Sequence, residues 1–362
     1  MLFYPICAAA AICFLPAATS RRHSLPGMTG NAGIDPILGA SGRIAIACAI
    51  AIAIGAGIAL PFVIPDYTTF RFTLALIWSI AIVGMVILSG VSGQISFGHS
   101  AFYGIGGYSG AIMLNEAGLS VYWGLPAAVL VCFVIGYGFG RIAAKFSLWY
   151  LALASYGLAV AFPQLLRWRQ LETFTGGVQG FYLDLQGAPS WSGLSADQWW
   201  YLLVLLSLLV GMKIATNLID SRAGRAIKAV GDNELSAAAQ GIDVQHYRAL
   251  AFAISAGYVG FAGCMAAIQL NFVAPGTYTF WLSTQFLIGL VIGGMHSVGG
   301  AVIGGLFVQF FPDLAAMIGK RLSLVVFGVL LVLAIVLMPR GVVGAVSSGL
   351  AFLKTKLWRR ET

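Results

Sequence analysis

The stretch Leu88-Ser89-Gly90-Val91-Ser92-Gly93-Gln94-Ile95-Ser96-Phe97-Gly98-His99-Ser100-Ala101-Phe102-Tyr103-Gly104-Ile105-Gly106-Gly107-Tyr108-Ser109-Gly110 places glycines and small hydroxyl residues between two apolar segments. Both flanks are too hydrophobic for water, so the chain reads as a membrane protein that breaks its helix here. In hydrocarbon every backbone N–H and C=O must be bonded internally, and irregular backbone survives only where protein or a water-filled cavity surrounds it. Paired breaks of this kind often line a transport path. Gly93, Gln94, Ser96, Gly98 and His99 are therefore the first candidates for lining one.

Outward from this stretch the same character continues. Of 362 residues, 59% are hydrophobic and 9% charged, against about 45–50% and 25% in soluble domains. The pattern predicts an all-α integral membrane protein, a polytopic bundle of about ten transmembrane helices with broken helices near the substrate path. The apolar runs fall at roughly 44–64, 70–89, 97–115, 123–140, 147–166, 199–219, 249–270, 280–297, 300–318 and 322–338. Arg43, Arg141, Lys145, Arg222, Arg225, Lys228, Arg248, Arg340, Lys354, Lys356, Arg359 and Arg360 then share one side, which the positive-inside rule makes cytoplasmic. Arg71, Arg167, Arg169, Lys320 and Arg321 lie opposite. The net charge of +8 is thus a topology signal, not a nucleic-acid footprint, because the basic residues sit at span ends without interleaved aromatics.

The chain divides into an N-terminal extension over 1–43, a membrane-spanning domain over 44–345, and a basic cytoplasmic tail over 346–362. Met1–Ala18 is apolar but carries Pro5 and Pro16 and lacks a basic leader, so Met28 is the expected start, with an extra half-span as the alternative. The five cysteines, Cys7, Cys13, Cys48, Cys132 and Cys264, stand singly in apolar runs and read as small buried hydrophobes.

Two polar stretches interrupt the spans. The outer one, about 167–198, holds Glu172-Thr173-Phe174-Thr175-Gly176-Gly177-Val178-Gln179-Gly180, too rich in turn formers for a helix interior. Trp191, Trp199 and Trp200 suit a membrane interface. The inner one, about 220–248, predicts two short helices. Asp220 or Ser221 caps the first, Asp232 or Asn233 caps the second, and Gly241 ends it in a left-handed conformation. Ala226, Ile227 and Val230 share a face of the first helix, as do Leu235, Ala238 and Ala239 on the second. An exposed amphipathic pair on the cytoplasmic side of a transporter is a docking element.

The chemistry excludes as much as it suggests. The P-loop pattern G-x-x-x-x-G-K-[ST] does not occur, since Gly319-Lys320 is followed by Arg321, so any ATP is used by a partner and no cofactor is expected in this chain. Gradient-driven carriers usually keep ionisable groups inside spans despite their cost. Here the notable ones are Asp313, His99 and His296, the histidines suited either to a structural hydrogen bond or to a path lining. An intramembrane serine protease needs a Ser–His pair, for which Gly107-Tyr108-Ser109-Gly110 and His296 supply only short matches. Small residues at helical spacing, Gly106/Gly110, Gly136/Gly140, Gly289/Gly293 and Gly300/Gly304, suit close helix packing.

The run Leu88-x-Gly90-x-x-Gly93-Gln94-x-Ser96-x-Gly98-His99-x-x-Phe102-x-Gly104-x-Gly106 resembles the N-terminal signature of the LivM-like permeases, membrane subunits of branched-chain amino acid ABC importers. Gly224-Arg225-Ala226-x-x-Ala229-x-x-Asp232-Asn233-Glu234 through Gly241-Ile242 is similar to that family's cytoplasmic EAA loop, with Ala251-Phe252-x-x-Ser255-Ala256 and Gly260-x-Ala262-Gly263 after it. Gly293-Gly294-Met295-His296-Ser297-Val298-Gly299-Gly300 and Met338-Pro339-Arg340-Gly341 resemble its late motifs.

The resemblance implies a multi-pass subunit of the bacterial inner membrane with a cytoplasmic C-terminus. It further implies a homologous second permease, two cytoplasmic ABC ATPase subunits and a periplasmic substrate-binding protein as partners. Arg225, Asp232, Asn233, Glu234 and Gly241 become the ATPase-coupling candidates, and Thr175, Gly176 and Gly177 join the pathway candidates through the outer T-G-G-x-x-G segment. Lys145-Phe146-Ser147-Leu148-Trp149-Tyr150-Leu151 and the residues around Val178-Gln179 depart from the family pattern. The expected cargo is a branched-chain or other hydrophobic amino acid, with urea, short amides, or aromatic or organic acids as the alternative.

Overall fold

The computed structural model describes residues 52, 54–115, 121–146, 148–183, 187–189, 192–318, 328 and 341. The expected N-terminal extension, the run at 322–338 apart from position 328, and the basic tail lie outside these residues, as do Met28, Cys7, Cys13, Cys48 and Trp191.

The described chain is almost wholly helical. Helix α1 (Ile54–Val63) leads to α2 (Asp66–Met85), which widens into a π-helical turn over Val86–Val91. After the irregular residues 92–98 come α3 (His99–Asn115), α4 (Val121–Ala143), α5 (Leu148–Leu166) and the single turn α6 (Glu172–Thr175). The two-residue strand β1 (Phe181–Tyr182) precedes α7 (Ala196–Asp220), α8 (Arg222–Asp232), α9 (Glu234–Ala239) and the 27-residue α10 (Val244–Leu270). Strand β2 (Phe272–Val273), a 3₁₀ turn at Pro275–Thr277, α11 (Phe280–Gly293) and α12 (Gly300–Ile318) complete it. The strands pair antiparallel, Phe181 opposite Val273 and Tyr182 opposite Phe272.

Among the described residues, five helices are long and apolar enough to cross a membrane: Asp66–Val91, Tyr122–Ala143, Trp149–Leu166, Ala196–Asp220 and Val244–Leu270. The run expected to span at 280–297 forms a helix of only 14 residues, because Gly294 takes a φ of 112° and turns the chain out of α11. The run expected at 97–115 enters its helix at His99 and gives 17 residues.

α10 is the central post. It packs most extensively on α4 and α3 and also on α2, while α2 in turn carries α7 and α12, and α12 carries α11. The outer faces of α4, α5 and α7 present Leu130, Val134, Trp149, Leu153, Leu206 and Ile214 to the surroundings, as lipid contact requires. Lipid tails are as apolar as leucine, so helices associate there through close packing of small residues. The glycine pairs do this. A Cβ on Gly106 would stand 1.9 Å from the Gly260 carbonyl oxygen, and one on Gly136 2.6 Å from the Ala256 methyl. Gly293 and Gly300 meet reciprocally, each placing a Cβ 2.2 Å from the other's carbonyl oxygen, as Gly304 would against Gly289. Cys132 and Cys264 are buried and unbridged, as expected.

Candidate functional site

The bundle has two distinct ends. Val91, Gly140, Gly231 and Arg248 mark one: Gly140 packs on Ala249 and Phe252, and Gly231 packs on Val91 and Ser92. Arg141, Arg222, Arg225 and Lys228 belong to this basic end, together with α8 and α9. The β1–β2 pair and the Thr175–Gly180 turn mark the other, where Asn115 donates to the Tyr182 carbonyl at 3.2 Å.

Residues 92–98 run between α2 and α3 with alternating exposure, Gln94, Ser96 and Gly98 buried, Gly93 and Ile95 exposed, and Phe97 half-buried. Alternation of this kind is the signature of extended backbone. Gly93 starts it with a φ of +69°, a conformation that any Cβ would strain. The inward face is a polar lattice. Ser89 Oγ donates to the Gln94 carbonyl at 2.8 Å, and Gln94 Nε2 donates to Ser92 Oγ at 2.6 Å and to the Arg248 carbonyl at 3.3 Å. Ser96 Oγ accepts the Gly98 N–H at 3.2 Å and lies 3.1 Å from His99 Nδ1.

His99 opens α3 fully buried, its Nε2 2.9 Å from Ser255 Oγ on α10. Two more serines hold the junction from other helices: Ser155 of α5 accepts the Phe97 N–H at 3.0 Å, and Ser283 of α11 accepts the Ser100 N–H at 2.8 Å. Buried backbone N–H groups freed by a helix interruption need such partners. The outward face is apolar, since Phe97 meets the Phe280 ring at 5.6 Å between centroids, and Phe280 meets Tyr156 at 4.9 Å.

The helix pair at the basic end folds as its caps dictate. Ser221 Oγ accepts the Gly224 N–H at 3.1 Å, and Asn233 Oδ1 accepts the Ser236 N–H at 3.0 Å. Gly241 closes α9 at φ +78°, its N–H on the Ala238 carbonyl and that of Ile242 on the Ala237 carbonyl, a Schellman stop. The two apolar faces have opposite fates. Ile227 and Val230 of α8 are buried against the body, whereas on α9 Leu235 is 84% exposed, Ala238 and Ala239 are exposed, and only Ala237 is buried. Asp232 and Asn233 are exposed, and Arg225 turns back to donate to the Asp220 carbonyl at 2.6 Å. Glu234, the first residue of α9, holds the buried Arg248 in an ion pair.

At the opposite end Thr175 is buried, its hydroxyl donating to the Leu166 carbonyl at 2.8 Å and reaching the Leu171 carbonyl at 2.9 Å. Gly176, Gly177 and Gly180 all have positive φ, and a Cβ on Gly180 would stand 2.0 Å from the Val273 carbonyl oxygen. The turn thus sits directly on the β2 segment.

The structure gathers Gly93, Gln94, Ser96, Gly98 and His99 into one stretch, puts Glu234 on α9 with Asn233 capping that helix and Gly241 ending it, and sets Thr175, Gly176 and Gly177 at the far end. Sequence reading missed Ser155, Ser283 and the role of Ser255; their signal was a small hydroxyl residue inside an apolar helix. The serine protease pairing is not formed. Ser109 Oγ donates to the Gly106 carbonyl at 3.0 Å, and His296 sits exposed in the turn between α11 and α12. Among the described residues no group of three or more His, Cys, Asp or Glu side chains is placed to hold a metal.

A bundle of apolar helices with a polar, irregular segment running into it from its basic end, and a capped helix pair at that end, is the frame of a membrane permease. Residues 67–335 match the family described as branched-chain amino acid transport system, permease component; the chain belongs to that family. It is 28% identical over 309 residues to the high-affinity branched-chain amino acid transport system permease protein LivM of Escherichia coli K12, covering 78% of this chain and 72% of that one. The BraD permease of the corresponding system in Pseudomonas aeruginosa is 24% identical over 286 residues, 74% of this chain and 91% of BraD. The autoinducer 2 import system permease protein LsrC of Salmonella paratyphi B is 27% identical over 247 residues, 66% of this chain and 68% of LsrC. No solved structure matches.

Proposed function

We propose that this chain is the permease subunit of an ABC importer and moves branched-chain amino acids inward across the bacterial inner membrane, driven by ATP hydrolysed on two separate subunits. The observation that carries the reading is α9: a capped six-residue helix that turns its apolar face outward at the basic end, with Leu235 84% exposed. That end is cytoplasmic by the positive-inside rule, and the C-terminus lies there too. Asp232, Asn233, Glu234 and Gly241 shape the docking helix and Arg225 adds positive charge beside it. A homologous second permease and a periplasmic binding protein complete the assembly, within a bundle of about ten spans.

The path runs past residues 92–98, the helix break of the membrane region. Gly93, Ile95 and Phe97 present its wall, and Gln94, Ser96, Gly98 and His99 hold that wall in place from behind. Thr175, Gly176 and Gly177 form the outer mouth. Irregular backbone here must be covered by protein or water, which supports its standing at a path and not against lipid.

The test is purification of the tagged chain from its native membrane in mild detergent, with mass spectrometry of its companions and leucine uptake by proteoliposomes made from the preparation. A second permease and Walker-motif ATPases in stoichiometric amounts, with ATP-dependent uptake, are expected. Recovery of the chain alone across several detergents would overturn the reading.

A further inference from the structure

Helix α10 holds the 92–98 segment once directly and once through His99, the first residue of α3. At its first turn the Arg248 carbonyl accepts from Gln94 Nε2 at 3.3 Å, and further along Ser255 Oγ lies 2.9 Å from His99 Nε2. Arg248 and Ser255 are two helical turns apart, about 10 Å along the axis. The same Arg248 reaches the other way, since its side chain is buried and its guanidinium holds the carboxylate that begins α9. A buried cation of this kind depends on its partner. The α8–α9 corner meets the start of the segment, where a Cβ on Gly231 would stand 2.9 Å from the Ser92 carbonyl carbon.

We propose that Arg248 is a positioning residue that transmits movement of α9 through α10 to the 92–98 segment, so that the Gly93, Ile95 and Phe97 face shifts when α9 is pulled. This rests on α9 being the ATPase-docking helix. Gly231 acts as the fulcrum and the Glu234–Arg248 pair as the pull rod. The load reaches the segment at Gln94 directly and at Ser96 through Ser255 and His99. Packed elements move as units and not as continuously deforming bodies, so two grips on one helix carry the segment with it.

The experiment measures ATP hydrolysed per leucine taken up by the complete transporter in proteoliposomes, with co-purification of the ATPase subunits recorded for each variant. The variants are Arg248→Gln, the charge-exchanged pair Glu234→Arg with Arg248→Glu, and Gln94→Met, which removes the side-chain bonds to the Arg248 carbonyl and to Ser92 Oγ without touching the ion pair. Arg248→Gln and Gln94→Met are expected to keep the ATPase subunits and to raise the ratio at least about fivefold, the lower end of usual coupling energies. The exchanged pair is expected to bring it back. A merely structural role would lower hydrolysis and uptake together and leave the ratio unchanged, which overturns the proposal. Loss of the ATPase subunits from Arg248→Gln also overturns it, by placing Arg248 in the docking surface itself. Retention of those subunits by Leu235→Glu would instead refute the docking reading on which the proposal rests.

Discussion

Leu235→Ala isolates docking from folding. The side chain is 84% exposed in the subunit, so truncating it costs the permease almost no burial of its own. If the ATPase subunit covers it, three buried carbons are lost from the interface at about 0.8 kcal/mol each, about 2 kcal/mol after scaling for the exposed fraction, or roughly thirtyfold in affinity. The assay titrates labelled ATPase subunit onto the permease in lipid nanodiscs, and a parallel melt of the permease alone monitors its fold. Weaker binding with an unchanged melt is the expected pair of results. Unchanged affinity would refute the assignment of α9 as the docking face. A lowered melt would refute the premise that Leu235 is unpacked.

Ser255→Ala leaves His99 Nε2 without its 2.9 Å partner in a fully buried site, so the permease should lose about 1–3 kcal/mol of stability, read as a lower melting temperature in detergent; an unchanged melt would mean the bond is not formed. Gly98→Val should abolish assembly as well as transport, because the first added carbon already meets the Ser155 carbonyl oxygen at 2.8 Å; co-purification of the partners at wild-type yield would contradict that packing. Gly293→Ala should destabilise by about 1–3 kcal/mol through overpacking at Gly300, where its Cβ would stand 2.2 Å from a carbonyl oxygen, and wild-type thermal stability would refute the close approach.

Much of the local structure was legible because it follows from neighbours in the chain. Ser221 and Asn233 cap as their side chains allow, Gly241 takes the left-handed stop, and the apolar runs form helices close to their expected places. Helix length was less legible. The apolar run continuing past Gly293 reads as part of one span, yet Gly294 turns the chain so that Gly293, ending α11, and Gly300, opening α12, can meet. No local rule reveals that the glycine opening the next helix lies opposite.

The same division holds at the site. Residue types alone marked 92–98 as a break, since glycine and serine there cannot form an ordinary span interior. They could not say which residues face outward, because that depends on where Ser155, Ser255 and Ser283 stand on three other helices. Nor could they distinguish the apolar faces of α8 and α9, which have similar patterns; α8 finds the body of the bundle beneath it and α9 does not. Composition and spacing determined a membrane helix bundle, its capped inner helices and its interrupted segment, because backbone satisfaction in hydrocarbon and side-chain capping are local demands. Tertiary structure alone decided that Arg248 joins α9 to that segment, because contacts between residues 94, 234 and 248 exist only once the segment and two helices have packed together.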